Sequence, residues 1–280
     1  MPDDQFVCLT HESYRSACEG LPEFQGGYCI LHAPTQEKVE AFQKFLEGRL
    51  HKNSYNFSGG YFPVKCDFSG VKFEANADFM GVKFSQGVDF SNSGSNPALF
   101  TQVADFRGAE FQGEADFRGV KFSQGVDFSG DGSKRTSFTE ANFRGVTFIG
   151  RANFAGAIFK VNAFFDYDPQ SNKEATFELA DFRGASFEKV TFRDVTFSKD
   201  ALFSPLLNLE GYKDPTKFLD EADFSGATFS GNARFNQAAF SGSLMFDNAR
   251  CEKLVDFSHV TFEGQSSFKT FKANDTVLFQ

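Results

Sequence analysis

From residue 57 onward the chain alternates a small apolar residue, a polar one, a large apolar one and a polar one, and the large residue is almost always phenylalanine. The rings recur at steps of five and six: Phe57, Phe62, Phe68, Phe73, Phe79, Phe84 and Phe90, then Phe100 to Phe128, Phe182 to Phe203 and Phe218 to Phe246. With the ring at position i, position i−2 is small (Ala104, Ala109, Ala115, Val120, Val126) and positions i−1 and i+1 are polar. Position i+2 is often glycine, as at Gly70, Gly81, Gly108, Gly119, Gly145, Gly184 and Gly226. Residues i−2 and i share one face of an extended backbone, so a small and a large side chain point inward together. Glycine then supplies the positive φ of a tight corner. A straight edge and a corner, repeated, wind into a coil whose stacked turns pair their backbones and hide every edge except the two ends. A helix is excluded, because a five-residue step walks around a 3.6-residue turn.

Two steps make an 11-residue unit, Ala-Asp-Phe-x-Gly-Val/Ala-x-Phe-x-x-x, as at Ala104 to Glu114 and Ala222 to Asn232. A larger copy lies within it. Ala77 to Ser91 and Ala115 to Ser129 differ only at Met80 against Arg118, at an offset of 38 residues, which points to tandem duplication of a block. Four segments interrupt the rhythm: 92–99, 130–137, 166–176 and 204–217. Their Pro, Gly, Asn, Asp and Lys content predicts loops on the coil edges. The last is the longest and carries Leu206, Leu207, Leu209 and Tyr212, which makes those four the candidate contact for a protein partner.

With runs such as ADFSGATFS (Ala222 to Ser230), the region from Tyr55 to Gln280 resembles the pentapeptide-repeat proteins, whose unit is Ala-Asp/Asn-Leu/Phe-x-x, and is most similar to their Phe-rich branch. The resemblance implies an all-β fold, a right-handed quadrilateral β-helix solenoid. The frequent sixth residue departs from the strict unit and suggests coils nearer 22 residues than 20, with two longer faces. About ten such coils are expected, roughly 48 Å of stack at ~4.8 Å each. A flat coil of 11 residues per turn is the competing geometry; the consecutive five-residue steps from Phe182 to Phe197 argue against it.

Residues 1–54 lack the Phe unit. Cys8, Cys18, Cys29 and His32 stand there at spacings C-x9-C-x10-C-x2-H. Three thiolates and an imidazole complete the tetrahedral set of a structural zinc ion, and Cys29-Ile30-Leu31-His32 is a knuckle that offers two ligands at once. A module this small buries too little surface to fold alone, and a metal would supply the deficit. His11 is an alternative fourth ligand, ranked below His32. The spacing is similar to the WRC-type zinc motif of plants and to small CCCH modules ahead of bacterial repeats. The plant motif is linked to DNA through dense Arg and Lys; residues 1–55 here hold five basic and eight acidic residues. From Thr35, a plausible N-cap with Glu37 in the first turn, a helix is predicted to Leu50, its apolar face of Val39, Phe42, Leu46 and Leu50 laid over the first coil. The expected organisation is a zinc-stabilised module (1–34), a capping helix and linker (35–54) and a β-helix (55–280).

The 280 residues include 41 Phe, 6 Tyr and no Trp, a bias only a structural rule repeated many times would give. The net charge of −9 does not support general nucleic-acid binding. No apolar run approaches the ~20 residues that span a bilayer, and Met1-Pro2-Asp3-Asp4 opens no secretory signal. With five cysteines and no export signal, a reducing compartment and a bacterial cytoplasm are expected. No phosphate loop, nucleophile elbow or HExxH motif occurs, and Asp105/Arg107, Asp116/Arg118 and Asp181/Arg183 read as a solvated ion-pair ladder. Cys66 and Cys251 fall on inward positions and read as buried core. The leading expectation is a non-enzymatic protein-interaction scaffold. The family resemblance implies an alternative, a mimic of duplex DNA that binds DNA gyrase or another type II topoisomerase, although 23 basic and 29 acidic residues over 56–280 are far sparser than phosphates. A third expectation is the soluble sensor part of a longer, membrane-anchored protein. Phe279 is still in register where the sequence stops, so the last coil is expected to pair with a second copy, as a homodimer, or to continue; Val277-Leu278-Phe279-Gln280 also resembles a protease-tag scar.

Overall fold

The structure, a computed structural model, describes residues 7–10, 12–91, 98–207 and 213–279. Beyond residue 55 the chain winds as the Phe spacing predicts, and every ladder between successive coils is parallel; four of them carry a one-residue bulge where a five-residue edge lies on a six-residue one. Two large sheets result. One follows a path of nine strands from Lys72–Phe73 to Lys272–Ala273, the other a path of nine from Tyr61–Phe62 to Thr261–Phe262. Nine rungs are one fewer than the coil count expected from the repeat. The two sheets lie on the two faces where the Phe step is mostly six, and the tight corners occupy the other two. Three sheet-face steps are five, Phe138 to Phe143, Phe177 to Phe182 and Phe187 to Phe192, and each is still spanned by one continuous strand.

Four columns of aromatic rings fill the bore. Phe57, Phe79, Phe106 and Phe128 begin the first column, which continues to Phe279. Phe62, Phe84 and Phe111 begin the second, Phe68, Phe90 and Phe117 the third, and Phe73, Phe100 and Phe122 the fourth. Most successive rings stack in parallel and offset, as Phe79 on Phe106 (centroids 4.9 Å, interplanar angle 2°) and Phe203 on Phe235 (4.7 Å, 1°); Phe62 and Phe84, at the start of the second column, meet edge to face at 87°. Across the bore the first and third columns meet edge to face, as Phe106 and Phe117 do at 5.8 Å and 89°. Both arrangements are favoured by the ring quadrupole. Near the end of the fourth column Cys251 and Ala273 replace the ring, and Phe271, at the normally small i−2 position, packs against Phe246 and Phe268 instead. Cys66 and Cys251 are buried thiols, both pushed up to about 12 by burial.

The Asp at i−1 does more than keep the surface wet. Asp67, Asp78, Asp89, Asp105, Asp116, Asp127, Asp181, Asp223 and Asp256 each accept the N–H of the residue two positions on, at 2.8–3.2 Å. Each carboxylate therefore opens its corner as an Asx turn. In-register stacking places Asp78 beside Asp105 and Asp105 beside Asp127, a row of like charges relieved by Arg107 and by Asn153, whose amide donates to Asp127. Two of the three ion pairs depart from the solvated ladder expected: the Asp181 side chain is fully buried between Arg151 and Arg183, and that of Asp116 is nearly so beneath Arg118, whereas Asp105 and Arg107 are part-exposed. Nor is the corner residue always glycine. Asp194, Gln237, Asn248, His259 and Thr270 adopt the same left-handed conformation, with φ of 53–60°.

The four interruptions follow Phe90, Phe128, Phe165 and Phe203, which belong alternately to the third and first columns. They leave the coil on the two corner faces by turns and insert nothing into a sheet. The described parts of the loops after Phe128, Phe165 and Phe203 fold down on corner glycines: a Cβ on Gly108 would lie 2.5 Å from Asp131 Cγ, one on Gly145 2.8 Å from Asp168 Cβ, and one on Gly184 2.6 Å from Leu206 Cβ. Buried Thr136 and Thr216 close the bases of two of them by donating to Phe106 and Phe182 carbonyls. The duplicated blocks do not stack on each other. Phe79, Phe84 and Phe90 occupy the first, second and third columns, whereas Phe117, Phe122 and Phe128 occupy the third, fourth and first. Thirty-eight residues thus make a turn and a half, and the 11-residue unit is half a coil.

Two stability outcomes follow. Phe143→Ala, in mid-column between Phe117 and Phe165, should cost about 3–5 kcal/mol by chemical denaturation, whereas Phe279→Ala, at a ring 59% exposed, should cost less than about 1 kcal/mol. His259→Gly should raise stability by up to about 1 kcal/mol by relieving a left-handed backbone at an exposed corner.

Candidate metal centre

The N-terminal segment is short of regular structure and rich in turns. Glu12–Cys18 forms a 3-10 helix, and Glu23–Gln25 pairs with Tyr28–Cys29 as an antiparallel hairpin whose corner, Gly26-Gly27, has positive φ. Leu9 N–H donates to the Gly27 carbonyl at 2.8 Å, which lays residue 8 along the hairpin. Past Cys29 the chain turns tightly: the N–H groups of His32 and Ala33 both donate to the Cys29 carbonyl.

These turns bring the four expected ligands together. The ligand atoms of Cys8, Cys18, Cys29 and His32 all lie within 4.8 Å of one another. Cys8 Sγ is 3.8 Å from Cys29 Sγ, and His32 Nδ1 is 3.7 Å from Cys8 Sγ and 3.2 Å from Cys29 Sγ. Sulfurs bound at about 2.3 Å around a tetrahedral zinc would stand about 3.8 Å apart, and a sulfur and a nitrogen about 3.5 Å. His32 Nε2 lies 2.9 Å from the Ser58 carbonyl. That carbonyl can only accept, so the proton sits on Nε2 and the Nδ1 lone pair faces the sulfurs, the orientation a metal ligand requires. Burial lowers the pKa of His32, which keeps the imidazole neutral. Burial pushes the Cys29 thiol up to about 12, so its thiolate needs a cation nearby. Cys8, Cys29 and His32 are buried; Cys18 is the partly exposed member. His11 lies outside the described residues.

The cluster is joined to the first coil. The Leu31 carbonyl, in the knuckle, accepts the N–H of Tyr61, and the Leu31 side chain covers Gly60. Thr35 caps a short 3-10 turn, Gln36–Lys38, by accepting the Glu37 N–H, and the α-helix Val39–His51 follows. Its Phe42 stands on Phe62 at 4.9 Å, at the foot of the second column, and Tyr55 meets Phe73 edge-on at the foot of the fourth. Tyr14, on the 3-10 helix, lies over Gly59 and Gly81 and donates to Asp131 at 2.8 Å. Lys38 and Arg49, not singled out from the sequence, also belong here. Lys38 is fully buried, and Arg49 Nη2 donates to the Ala17 carbonyl beside Cys18. The signal for Lys38 lies in the helix register, since it precedes buried Phe42 and Leu46 by four and eight residues.

The candidate partner contact lies far from this centre in sequence. Leu206–Leu207 pairs with Lys213–Asp214 as an antiparallel hairpin, Leu206 lies over Gly184, and Leu207 is exposed. Leu209 and Tyr212 lie outside the described residues. Arg135, from the preceding loop on the same side, forms an ion pair with Asp214. Among the described helices none is long and apolar enough to cross a membrane.

Two family models for pentapeptide repeats match the chain, one of nine copies at residues 98–130 and 216–261, the other of eight copies at residues 173–198. Those stretches are pentapeptide repeats, and the coil they build is a pentapeptide-repeat β-helix. No curated protein matches the chain. Among solved structures, HetL, a pentapeptide repeat protein involved in heterocyst differentiation regulation from the cyanobacterium Nostoc sp. strain PCC 7120, aligns over 79% of this chain and 92% of its own at 13% identity and a TM-score of 0.29.

The Tyr14–Asp131 bond gives the docking of the 3-10 helix a pH signature. Burial opposes ionisation of Asp131, but bonds from the Lys134 and Ser133 N–H groups, the Ser133 hydroxyl and Tyr14 outweigh it and hold the carboxyl at about 2, below its ordinary 3.8. A depressed carboxyl contributes stability that is full above its unfolded value and lost as pH falls through the folded one. Asp131→Asn should therefore lose less stability than the wild-type chain between about pH 4 and pH 2 in acid titrations followed by circular dichroism.

Proposed function

We propose that the protein is a non-catalytic interaction scaffold: a rigid β-helix whose outer surface holds a protein partner and whose N-terminal cap is locked by one structural zinc ion on Cys8, Cys18, Cys29 and His32. The observation that carries this reading is the filled bore. Four columns of buried rings occupy the interior, so recognition falls to the exterior and the loops. Loops anchored on a stiff frame are where specific contacts concentrate, and the hairpin with exposed Leu207 is the contact proposed, together with Leu206, Leu209 and Tyr212.

Zinc is the ion the donor set favours: three sulfurs and one imidazole nitrogen at tetrahedral spacing, and four protein ligands, which leaves no open position for catalysis. When bound, the ion would supply the cross-links that a hairpin and a seven-residue 3-10 helix cannot make by packing. His32 would be oriented by the Ser58 carbonyl, and the Leu31 carbonyl would tie the knuckle to the first coil. A second copy stacked on exposed Phe262 and Phe279 of the last coil is a further association the scaffold offers.

Metal analysis of protein purified without chelator should give about one zinc per chain, and Cys29→Ser should abolish it. Absence of metal from the wild-type protein would remove the zinc reading. Leu207→Asp should abolish cross-linking to the partner captured by the wild-type chain while leaving the zinc content unchanged; retention of the partner would move the contact elsewhere.

A further inference from the structure

Burial pushes the Lys38 amine down to about 7, so a full charge there at higher pH needs an anion beside it, and its surroundings hold one candidate. Lys38 is 0% exposed. Its Nζ donates to the carbonyls of Ile30 (2.8 Å) and Leu31 (2.9 Å), the two residues between Cys29 and His32. It lies 4.8 Å from the centroid of the Phe42 ring and 5.4 Å from that of Tyr61. Carbonyl dipoles and ring faces attract a cation, but none carries a full charge. Among the described residues no carboxylate pairs with Lys38. The ionisable groups that face it are the thiols of Cys29 and Cys66, the two that can become anions, and the imidazole of His32. Cys66 donates its proton to the Val64 carbonyl at 3.4 Å and is a neutral thiol. Cys29 and the ligand group behind it remain.

The charge arithmetic closes on that group. A divalent ion held by three thiolates and a neutral imidazole carries one excess negative charge. Buried without a partner, it and the ammonium are each costly; adjacent, they balance. We propose that Lys38 is the counter-cation of the metal centre, neutralising the one excess negative charge of a three-thiolate, one-imidazole site while its hydrogen bonds hold the knuckle that presents Cys29 and His32. The assignment rests on the reading that these four residues hold a metal ion. Arg49 is a second cation on the Cys18 side, but its guanidinium is part-exposed, spent on Ala17, Ser54 and the Phe45 ring, and screened by water. The assignment also gives the third cysteine a reason: a neutral two-thiolate, two-imidazole centre would leave Lys38 without its anion.

The test is a double-mutant cycle on zinc affinity, measured with the full chain by competition against a chromogenic chelator. Lys38→Met, which keeps the volume and removes the charge, should weaken zinc binding about tenfold or more, the range of outer partners that tune a metal site. In a Cys18→His background, where the centre is neutral, Lys38→Met should change affinity less than about threefold. An equal loss in both backgrounds would show a role confined to hydrogen bonding, and no loss in the wild-type background would remove any role; either overturns the assignment. Lysine-selective NMR on the zinc-loaded wild-type protein, with Lys38→Met to identify the signal, decides the matter even if Cys18→His binds no zinc. A charged ammonium at pH 8 is expected, and a neutral amine there overturns the proposal. Wild-type protein that binds no zinc overturns the metal reading itself, a result visible before any variant is compared.

Discussion

The spacing between stacked β-strands and the spacing of stacked aromatic rings are nearly the same length, and this fold depends on that coincidence. Strands in a ladder lie about 4.7–4.9 Å apart, within the range of favourable ring pairs. An in-register parallel ladder therefore places Phe143 on Phe117 at 4.8 Å and Phe165 on Phe143 at 5.0 Å with nearly parallel planes. Once four columns stand at that spacing, little freedom remains. The residue two before each ring is mostly small, because the bore is occupied; Leu244 and Tyr55 are larger, and at Phe271 a full ring fits because Ala273 has vacated the column. The long insertions leave at a corner, whereas a sheet edge absorbs a single extra residue as a local bulge with the columns unbroken.

Much of this was legible in the sequence because it repeats. The alternation of five- and six-residue steps gave the columns, the corners and the faces that carry the sheets. What escaped was whatever depends on neighbours in the stack. Asp at i−1 looks like a solvated position in one unit; only the stacked backbone shows its carboxylate closing the next corner and, at Asp181, disappearing beneath two arginines. The left-handed corners at Gln237 and Thr270 show that an established ladder imposes a conformation that the residue would not choose. In the N-terminal segment the cluster of Cys8, Cys18, Cys29 and His32, which could hold a metal, was legible because sulfur and imidazole have few other uses at such spacing. Lys38 was not, since a lysine before a helix ordinarily faces water.

The two parts of the chain meet through a small number of backbone groups. The Leu31 carbonyl accepts both the Lys38 ammonium and the Tyr61 N–H, so the knuckle, the buried cation and the first coil share one oxygen. Phe42 and Tyr55 cover the exposed ring faces below. A solenoid end is otherwise a row of unpaired strand groups open to any other strand. Here it is closed by the N-terminal segment, through those rings and the Tyr61 N–H bond to Leu31.

The position of the duplicated blocks has a consequence for how such a molecule can change. Identical sequence settles equally well on opposite walls, so the cross-section tolerates a rotation of 180° about its axis. A gene segment encoding an odd number of 11-residue units can be copied in tandem without disturbing any column, and all that follows it is simply turned to the other side. Growth of this kind would lengthen the rod and, in the same event, re-aim its downstream loops.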